Sequence, residues 1–218
     1  MGEKPFQAAH ISQIDGRLVD GGPQARRPVR EYFDIGAFGA NAFTVAEAGE
    51  GLVEAHDELS GGADAHEELY FVSAGHAVFT VNGKEVDAPA GTFVFVSDPG
   101  ARRSAVSAAP DATVLIVGAP RGRVYRVAAW EYESAAFTRY AQNDYEGALA
   151  VFRQGLAAYP GNAGGLYNMA CVESLEGDKD AALGHLREAL TGDPENVPGW
   201  AADDPDLDPI RTADGFPF

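Results

Sequence analysis

The stretch that decides the fold is HEELYFVSAGHAVFTVNGKEVDAPAG, residues 66–91. Two apolar runs rich in aromatic and β-branched residues, 69–72 and 77–81, are separated by a glycine. Asn82-Gly83 then predicts a tight hairpin, because both central positions of a type I′ turn need a positive φ. The stretch therefore predicts short antiparallel strands, which are the material of a small β-barrel or jelly roll.

Strand-like segments continue on both sides of this stretch, and no helical period appears before residue 130. The segment 113–117 (TVLIV) is apolar throughout, which predicts a strand buried on both faces. Short strands separated by turn signals indicate one all-β domain, residues 29–118. An irregular arm, residues 1–28, is expected before it, because Gly, Pro and Asp break the pattern there.

Beyond the β domain, the apolar period becomes helical and repeats. Ala148 and Ala182 lie 34 positions apart, and so do Pro160 and Pro194. A 34-residue period with small residues at the helix crossing and a proline after the second helix resembles the tetratricopeptide (TPR) repeat. The C-terminal part is therefore divided into a linker, two repeats, and an acidic capping helix with a tail: residues 119–130, 131–196 and 197–218.

The charge and the cysteine content exclude some functions. The net charge is −17. Residues 131–218 hold 16 acidic and 5 basic side chains, so this part of the chain contributes −11 to the net charge. Such an acidic chain repels phosphate backbones, so nucleic acid is not expected as a partner. One cysteine, Cys171, excludes an internal disulfide. No apolar run has the length of a membrane span and no apolar leader is seen, so a cytoplasmic location is predicted.

The β domain resembles the type-2 conserved barrel of the cupin superfamily. Glu68, six further residues and Gly75 match the end of the first cupin motif. Gly91 and the five residues after it match the start of the second, although Ser97 stands where a proline is expected. The resemblance implies an α+β multidomain protein, an antiparallel β-barrel or jelly roll followed by a helical TPR array. The whole chain is similar to small bacterial cupin–TPR proteins.

The mouth of the predicted barrel departs from the metal-binding cupins. Those proteins carry His-x-His shortly before the glutamate and another histidine after the turn of the second motif. No His-x-His exists in this chain, and Arg102 and Arg103 stand where the later histidine is expected. A guanidinium cannot ligate a divalent metal and would repel one. Of the four usual ligands only Glu68 remains, so no metal is favoured.

An alternative is a metal centre assembled from neighbouring strands. His56 ends one predicted strand and His66 begins another, and His66 and Glu68 would share a face because they are two residues apart. Two histidines and a carboxylate can hold a divalent metal such as Fe, Mn, Ni or Zn. This alternative implies a metal-dependent cupin enzyme, a small-molecule oxygenase or isomerase, with the ligands His56, His66 and Glu68.

The favoured hypothesis is a non-catalytic protein. Its barrel binds a small molecule or serves as a scaffold, and its TPR segment contacts a partner protein. Either Glu68 forms a structural ion pair with Arg102 or Arg103, or the two arginines bind a small anionic ligand by bidentate hydrogen bonds. A homodimer is expected, because two repeats leave an apolar face that needs cover. The predicted ligand-binding residues at the barrel mouth are His56, His66, Glu67, Glu68, Arg102 and Arg103.

Overall fold

The computed structural model describes residues 6–18, 22–59 and 64–218. The chain divides into two compact units, Met1–Val127 and Ala128–Phe218. Antiparallel strands build the first unit and helices build the second, so the prediction of an α+β protein is confirmed. No helix in the described ranges is both long and apolar enough to cross a membrane.

The first unit contains ten strands within the described residues. They are β1 (Arg17–Leu18), β2 (Ala25–Arg27), β3 (Gly39–Val45), β4 (Gly51–His56), β5 (His66–Ala74), β6 (His76–Val81), β7 (Lys84–Pro89), β8 (Phe93–Val96), β9 (Arg103–Ser107) and β10 (Ala112–Pro120). They form a six-stranded sheet in the order β1-β2-β3-β10-β5-β8 and a four-stranded sheet in the order β4-β9-β6-β7. All of the strand pairs are antiparallel.

The hairpin predicted at Asn82-Gly83 is confirmed. Both residues have a positive φ, 47° and 77°, and they join β6 to β7 with Val81 opposite Lys84. The glycine that separates β5 from β6 is also required. Gly75 has a φ of 68°, and a Cβ added to it would lie 2.6 Å from the Cα of Ala112. A side chain would therefore clash with backbone of the adjacent strand.

The core of this unit lies between the two sheets, since its buried residues come from both. Tyr70 and Val72 on β5 are fully buried because alternate residues of a strand face the same side. On β10, Val114 and Ile116 are buried, whereas the residues that alternate with them are half-buried. The prediction that 113–117 is buried on both faces is therefore wrong, because this strand lies in an antiparallel sheet with two unequal faces.

The arm that was predicted to be irregular is ordered in part. Its two short strands extend the six-stranded sheet, with β2 paired to β3. Next comes one helical turn, α1 (Val29–Phe33), which ends at Asp34 in a left-handed conformation. This turn left no helical period in the sequence, since five residues are too few to show one. Residues 1–5 and 19–21 of the predicted arm lie outside the described residues.

Four helices of similar length build most of the second unit. They are α2 (Ala129–Tyr140), α3 (Tyr145–Ala158), α4 (Ala163–Glu176) and α5 (Lys179–Gly192). Helices α2 and α4 begin 34 residues apart, and so do α3 and α5. Asp144, Asn162 and Asp178 cap α3, α4 and α5 by accepting a hydrogen bond from the backbone N–H three residues later. The spacing noticed in the sequence is therefore also the spacing of the helix starts.

Small residues allow these helices to pack closely. Ala148 on α3 and Ala182 on α5 are fully buried. A Cβ added to Gly155 would lie only 2.9 Å from the Cβ of Tyr132, so α2 and α3 meet where no side chain fits. These contacts explain why small residues recur along this part of the sequence.

The C-terminal segment, predicted as an acidic capping helix, forms only short helical turns. Helix α6 (Val197–Ala201) is followed by a 3₁₀ turn at Pro205–Leu207. Leu207 and Ile210 are fully buried against the helical core. The prolines at 205 and 209 explain the short turns, because proline lacks the N–H that a continuing helix needs.

Two aspartates of this segment are held by tyrosines of the helices. The Tyr167 hydroxyl donates to Asp204 Oδ2 at 2.6 Å, and the Tyr140 hydroxyl donates to Asp206 Oδ2 at 2.7 Å. The buried thiol of Cys171 lies 3.5 Å from the same oxygen of Asp204, and burial raises its pKa. A thiol with a raised pKa is a poor nucleophile, so Cys171 is a packing residue.

Candidate functional site

A buried ion pair lies at the centre of the β unit. Glu68 is on β5 and Arg103 begins β9, so the pair joins the two sheets. Arg103 Nη2 donates to Glu68 Oε2 at 2.7 Å and its Nε donates to the same oxygen at 3.0 Å. Arg103 is 1% exposed and Glu68 is 8% exposed. Such buried charges are tolerated only when they are paired.

Further hydrogen bonds saturate this pair. The Tyr70 hydroxyl donates to Glu68 Oε2 at 2.5 Å, which is possible because residues 68 and 70 share a face of β5. Arg103 Nη1 donates to the carbonyls of Pro99 and Ala101 at 3.0 and 2.9 Å. Glu68 Oε2 therefore accepts three hydrogen bonds, and all three guanidinium nitrogens bond to protein oxygens.

His56 and Glu58 lie beside the pair, nearer to the solvent. His56 Nε2 is 3.5 Å from Glu68 Oε2 and 3.6 Å from Glu58 Oε1. The other ring nitrogen of His56, Nδ1, is 2.8 Å from the carbonyl oxygen of Glu54, which fixes the ring. The Glu58 carboxylate is also 3.9 Å from Arg103 Nη2. Arg103 therefore lies near both carboxylates.

His66 joins the same group through Glu58. Its Nδ1 is 3.4 Å from Glu58 Oε2, so Glu58 lies between two imidazole rings. The His66 ring also packs against Tyr125, with the ring centroids 5.6 Å apart. The cluster formed by His56, Glu58, His66, Glu68, Tyr70 and Arg103 is called the polar cluster below.

The two carboxyl groups of the polar cluster have opposite pKa shifts. Burial, together with the negative charge of Glu68, raises the pKa of Glu58 to about 7. Burial also acts to raise the pKa of Glu68, but the contact with His56 and the hydrogen bonds from Tyr70 and Arg103 outweigh it and lower the pKa. Glu68 is therefore a stable carboxylate, whereas Glu58 exchanges a proton near neutral pH.

His56 responds to the same neighbours. Burial lowers its pKa, but the contacts with the Glu68 carboxylate and the Glu54 carbonyl outweigh burial, and the net shift of the pKa is upward. Three oxygens lie around this ring, those of the Glu54 carbonyl and of the Glu58 and Glu68 carboxyl groups.

Two of the six residues predicted at the barrel mouth lie elsewhere. Glu67 faces the other side of β5, where its Oε2 is 2.7 Å from Arg121 Nη2. Arg102 is exposed, and its Nη2 donates to the carbonyl of Ala55. Neighbouring residues of a strand point to opposite faces, so Arg102 and Arg103 do not form an arginine pair. The structure brings together His56, His66, Glu68 and Arg103.

Two members of the polar cluster, Glu58 and Tyr70, were not among the residues predicted from the sequence. A signal existed for both, since Glu58 lies two residues after His56 and Tyr70 lies two residues after Glu68. Such a spacing places side chains on one face of an extended chain. Glu58 lies beyond the end of β4, in a segment of which residues 60–63 are outside the described part of the chain.

A possible cation-binding group exists in the polar cluster, but its composition differs from the one predicted. His56, Glu58 and Glu68 each offer a ligand atom within 4.8 Å of the others, so Glu58 takes the place expected for His66. The residues present fit a divalent metal poorly, because the Arg103 guanidinium bonds Glu68 at 2.7 Å and would repel the cation. A metal bound by Glu68 would lie beside this guanidinium, and the repulsion between the two cations opposes its binding.

Comparison with known proteins finds similarity among solved structures only. No protein-family model matches the chain, and no curated protein matches it. A Thermotoga maritima protein described as a predicted oxalate decarboxylase is 20% identical, with 51% of this chain and 97% of that chain covered and a TM-score of 0.42. A Cupin 2 conserved barrel domain protein from Salinispora arenicola is 15% identical, with 53% and 89% covered and a TM-score of 0.42.

A third match is a sugar phosphate isomerase of the cupin superfamily from Silicibacter pomeroyi. It is 17% identical, with 51% of this chain and 74% of that chain covered and a TM-score of 0.41. The chain is thus similar to cupin proteins over about half of its length.

Proposed function

We propose that this protein is a metal-independent binding protein. Its cupin-type β unit, a small barrel or jelly roll, binds a small polar molecule at the solvent side of the polar cluster. Its helical unit contacts a partner protein. The observation that carries the proposal is the buried Arg103 guanidinium, which bonds Glu68 and lies 3.9 Å from Glu58. Arg103 thereby supplies the positive charge that a metal ion would otherwise supply between two carboxylates.

The charge of the polar cluster indicates what kind of ligand it accepts. Two carboxyl groups face one guanidinium, and the Arg103 nitrogens already bond to protein oxygens. Most donors of the Arg103 guanidinium are therefore already used within the protein, and its charge is balanced by Glu68. The groups nearest to the solvent are His56 and Glu58, which offer oxygen and nitrogen atoms for hydrogen bonds. A ligand with hydroxyl or amine groups fits these atoms better than the anion expected from an arginine pair.

Metal content tests this proposal. The chain should be purified without a histidine tag and analysed for Fe, Mn, Ni and Zn, and its thermal unfolding should be followed with a chelator and with each metal added. The proposal expects no stoichiometric metal and an unfolding midpoint that neither the chelator nor the metals change. One metal ion per chain, lost in the variant Glu68→Ala, would refute it.

The second candidate function is a metal-dependent enzyme, an oxygenase or isomerase of small molecules. It is favoured by the three ligand atoms of His56, Glu58 and Glu68 within 4.8 Å of one another. Those residues would hold the metal, which would act as a Lewis acid or redox centre. The Arg103 guanidinium, bonded to Glu68, would oppose this metal by charge repulsion. The metal analysis described above distinguishes the two candidates.

For the helical unit we propose a TPR-type interaction segment. The 34-residue offset between helix starts, the close α2–α3 contact at Gly155 and the capping aspartates support this assignment. Trp130 and Phe137 on α2 are seven residues apart, so they share a face, and both are partly exposed at 39% and 46%. The negative charge of residues 131–218 favours a basic partner.

This second part of the proposal has its own test. The immobilised full-length chain should retain a specific basic protein, and retention should decrease as salt concentration increases. The double variant Trp130→Ala/Phe137→Ala should lose that same protein, whereas Val86→Ala, a change on the β unit, should retain it. Equal retention by all three chains would contradict a role for α2.

A further inference from the structure

A pocket lies in the helical unit, where α2, α3 and the start of α4 meet. Glu133 on α2 and Asn162, the residue that caps α4, bring polar side chains into it. Its apolar wall includes Ala129, Phe152 and Leu156. The pocket therefore places one carboxyl group and one amide in a largely apolar surface, and it is called the Glu133 pocket below.

Asn162 holds the carboxyl group of Glu133 in place. Its side-chain nitrogen donates to Glu133 Oε1 at 3.1 Å, and its side-chain oxygen accepts from the backbone N–H of Gly165 at 3.0 Å. Both ends of the amide are engaged, so its orientation is fixed. The second carboxyl oxygen, Oε2, accepts no hydrogen bond from any group in the part of the chain that the structure describes. This oxygen is therefore available to a donor from outside the chain.

Within the described ranges, Glu133 also forms no ion pair with a lysine, arginine or histidine. Glu173, a buried glutamate of α4, shows the contrast, because His185 Nδ1 lies 2.7 Å from its Oε2. Burial raises the pKa of Glu133, and the hydrogen bond from Asn162 opposes this shift without cancelling it. A half-buried carboxylate without a counter-charge costs free energy. A cation from outside the chain would remove that cost, so the pocket is suited to a positively charged group.

The size of the Glu133 pocket limits that group. The space amounts to about 210 Å³, and part of it is open to solvent. Pockets that hold drug-sized molecules have volumes of roughly 300–1,000 Å³. The Glu133 pocket therefore accepts the end of a side chain rather than a whole ligand of that size. An ammonium group fits it better than a guanidinium, because the ammonium is a compact charge and the guanidinium is a wide planar fork.

The face of α2 around Glu133 is aromatic. Trp130 lies three residues before Glu133 and Phe137 lies four residues after it, so the three side chains are neighbours on one face of the helix. Both aromatic side chains are partly exposed. A lysine packs its aliphatic stem along apolar surface while its charged end stays in polar surroundings, and aromatic faces attract ammonium groups. The face and the pocket together therefore match a lysine side chain.

We propose that the Glu133 pocket binds a lysine side chain of a basic partner protein. The lysine ammonium donates to Glu133 Oε2, and its aliphatic stem lies against Trp130 and Phe137. This inference rests on the proposed role of the helical unit as an interaction segment, and it names the chemical group that the segment recognises.

The fluorescence of Trp130 in the full-length chain measures this binding. The chain has two tryptophans, and Trp200→Phe leaves Trp130, one helical turn from Glu133, as the reporter. The probe is a blocked pentapeptide with a central lysine, and the matched peptide carries norleucine in its place. A saturable change in emission is expected with the lysine peptide, and binding of the norleucine peptide should be weaker by about tenfold or more, because it lacks the charged donor.

The same titration with n-butylammonium distinguishes a protein side chain from a free amine. The free amine lacks the contacts that the peptide backbone adds, so it should bind more weakly than the lysine peptide. Tighter binding of n-butylammonium than of the lysine peptide would overturn the assignment to a protein partner. Equal binding of the lysine and norleucine peptides would overturn the recognition of an ammonium group.

Two variants with the same change of charge locate the site. Glu133→Gln keeps the size of the side chain and an oxygen that accepts from Asn162, so it should fold, and it should weaken binding of the lysine peptide by about tenfold or more. Glu188→Gln, a change at an exposed glutamate of α5, is the matched control and should bind like the parent chain. Equal binding by the two variants, or no saturable binding by the parent chain, would overturn the proposal.

Retention of the basic protein separates failure of the Glu133 pocket from failure of the interaction segment. Glu133→Gln is expected to lose the retained protein, whereas Glu188→Gln should keep it. If Glu133→Gln kept the protein while Trp130→Ala/Phe137→Ala lost it, the interaction segment would stand and the lysine pocket would be wrong. A native chain that retained no basic protein would refute the interaction segment, and this inference with it.

Discussion

Two adjacent glutamates on β5, Glu67 and Glu68, each pair with an arginine at the same distance of 2.7 Å. The Glu68–Arg103 pair is almost fully buried, whereas the Arg121 side chain that pairs with Glu67 is 74% exposed. The chemistry of the two pairs is the same, and only the face of the strand differs. Burial therefore decides which pair holds the two sheets together, because water screens the outer pair and not the inner one.

The largest expected effect comes from removing the inner arginine. Arg103→Ala leaves the Glu68 carboxylate buried without its cation, so we expect a loss of about 3–5 kcal/mol in the free energy of unfolding. Urea denaturation of the full-length chain measures it. The double variant Glu68→Leu/Arg103→Met removes both charges and should be less damaging than Arg103→Ala. A lower stability of Glu68→Leu/Arg103→Met than of Arg103→Ala would contradict this account.

A smaller effect is expected from the hydroxyl that supports the inner pair. Tyr70→Phe removes one of three hydrogen bonds to Glu68 Oε2 and leaves the aromatic packing in place. Hydrogen bonds to charged groups contribute about 1.5–3 kcal/mol, and urea denaturation should show a loss of that size. The control is Tyr32→Phe on the surface, which should change little. Equal effects of the two substitutions would show that the Tyr70 hydroxyl does not support the pair.

The pKa of Glu58 predicts a dependence of stability on pH. Because burial raises this pKa in the folded state to about 7, the folded chain binds more protons than the unfolded chain between the ordinary glutamate pKa and pH 7. The Glu58 contribution to stability therefore decreases as pH rises through this window. The variant Glu58→Gln lacks this titration. The free energy of unfolding of the variant minus that of the native chain should therefore increase by on the order of 1–2 kcal/mol from pH 5 to pH 8. Unfolding free energies of both chains at several pH values measure it, and a constant difference would contradict the raised pKa.

Glu68 should behave in the opposite way. Its pKa is lowered by the contact with His56 and by the hydrogen bonds from Tyr70 and Arg103, in spite of burial. Its contribution to stability is therefore present above the ordinary glutamate pKa and is lost as pH falls through the lowered value. This loss lies below the window in which Glu58 titrates, so the two glutamates can be distinguished in one pH series.

The smallest effect is expected at the outer pair. Arg121→Ala removes the exposed partner of Glu67, and exposed ion pairs contribute at most about 1 kcal/mol. Urea denaturation at low and high salt should give nearly the same stability as the native chain. If Arg121→Ala and Arg103→Ala had similar effects, the distinction between the two pairs would be lost.

Local signals in the sequence predict much of the fold. The Asn82-Gly83 turn and the alternation along β5 need only neighbouring residues, and the 34-residue helix spacing appears directly in the sequence. Strands β1 and β2 are too short to show a period, and their pairing with the rest of the sheet depends on residues far along the chain.

Local signals in the sequence also predicted part of the polar cluster. The place of Glu68 in the cluster was predicted from its sequence motif and from its position on the strand that is β5. The choice between Arg102 and Arg103 depends on the register of β9, in which His56 lies opposite Arg103. A shift of one residue in that register would exchange the two arginines between faces. Glu58 comes from a segment after β4, and only the folded chain brings it between His56 and His66.

Titration with a divalent metal tests the central claim about Arg103 most directly. Untagged native chain, treated with a chelator and dialysed, should be titrated with Mn²⁺ and with Zn²⁺ in a calorimeter at neutral pH. With Arg103 bonded to Glu68, no saturable binding is expected, and Glu68→Ala should give the same trace. Saturable binding of one ion per chain that disappears in Glu68→Ala would contradict the account and favour the metal-dependent enzyme.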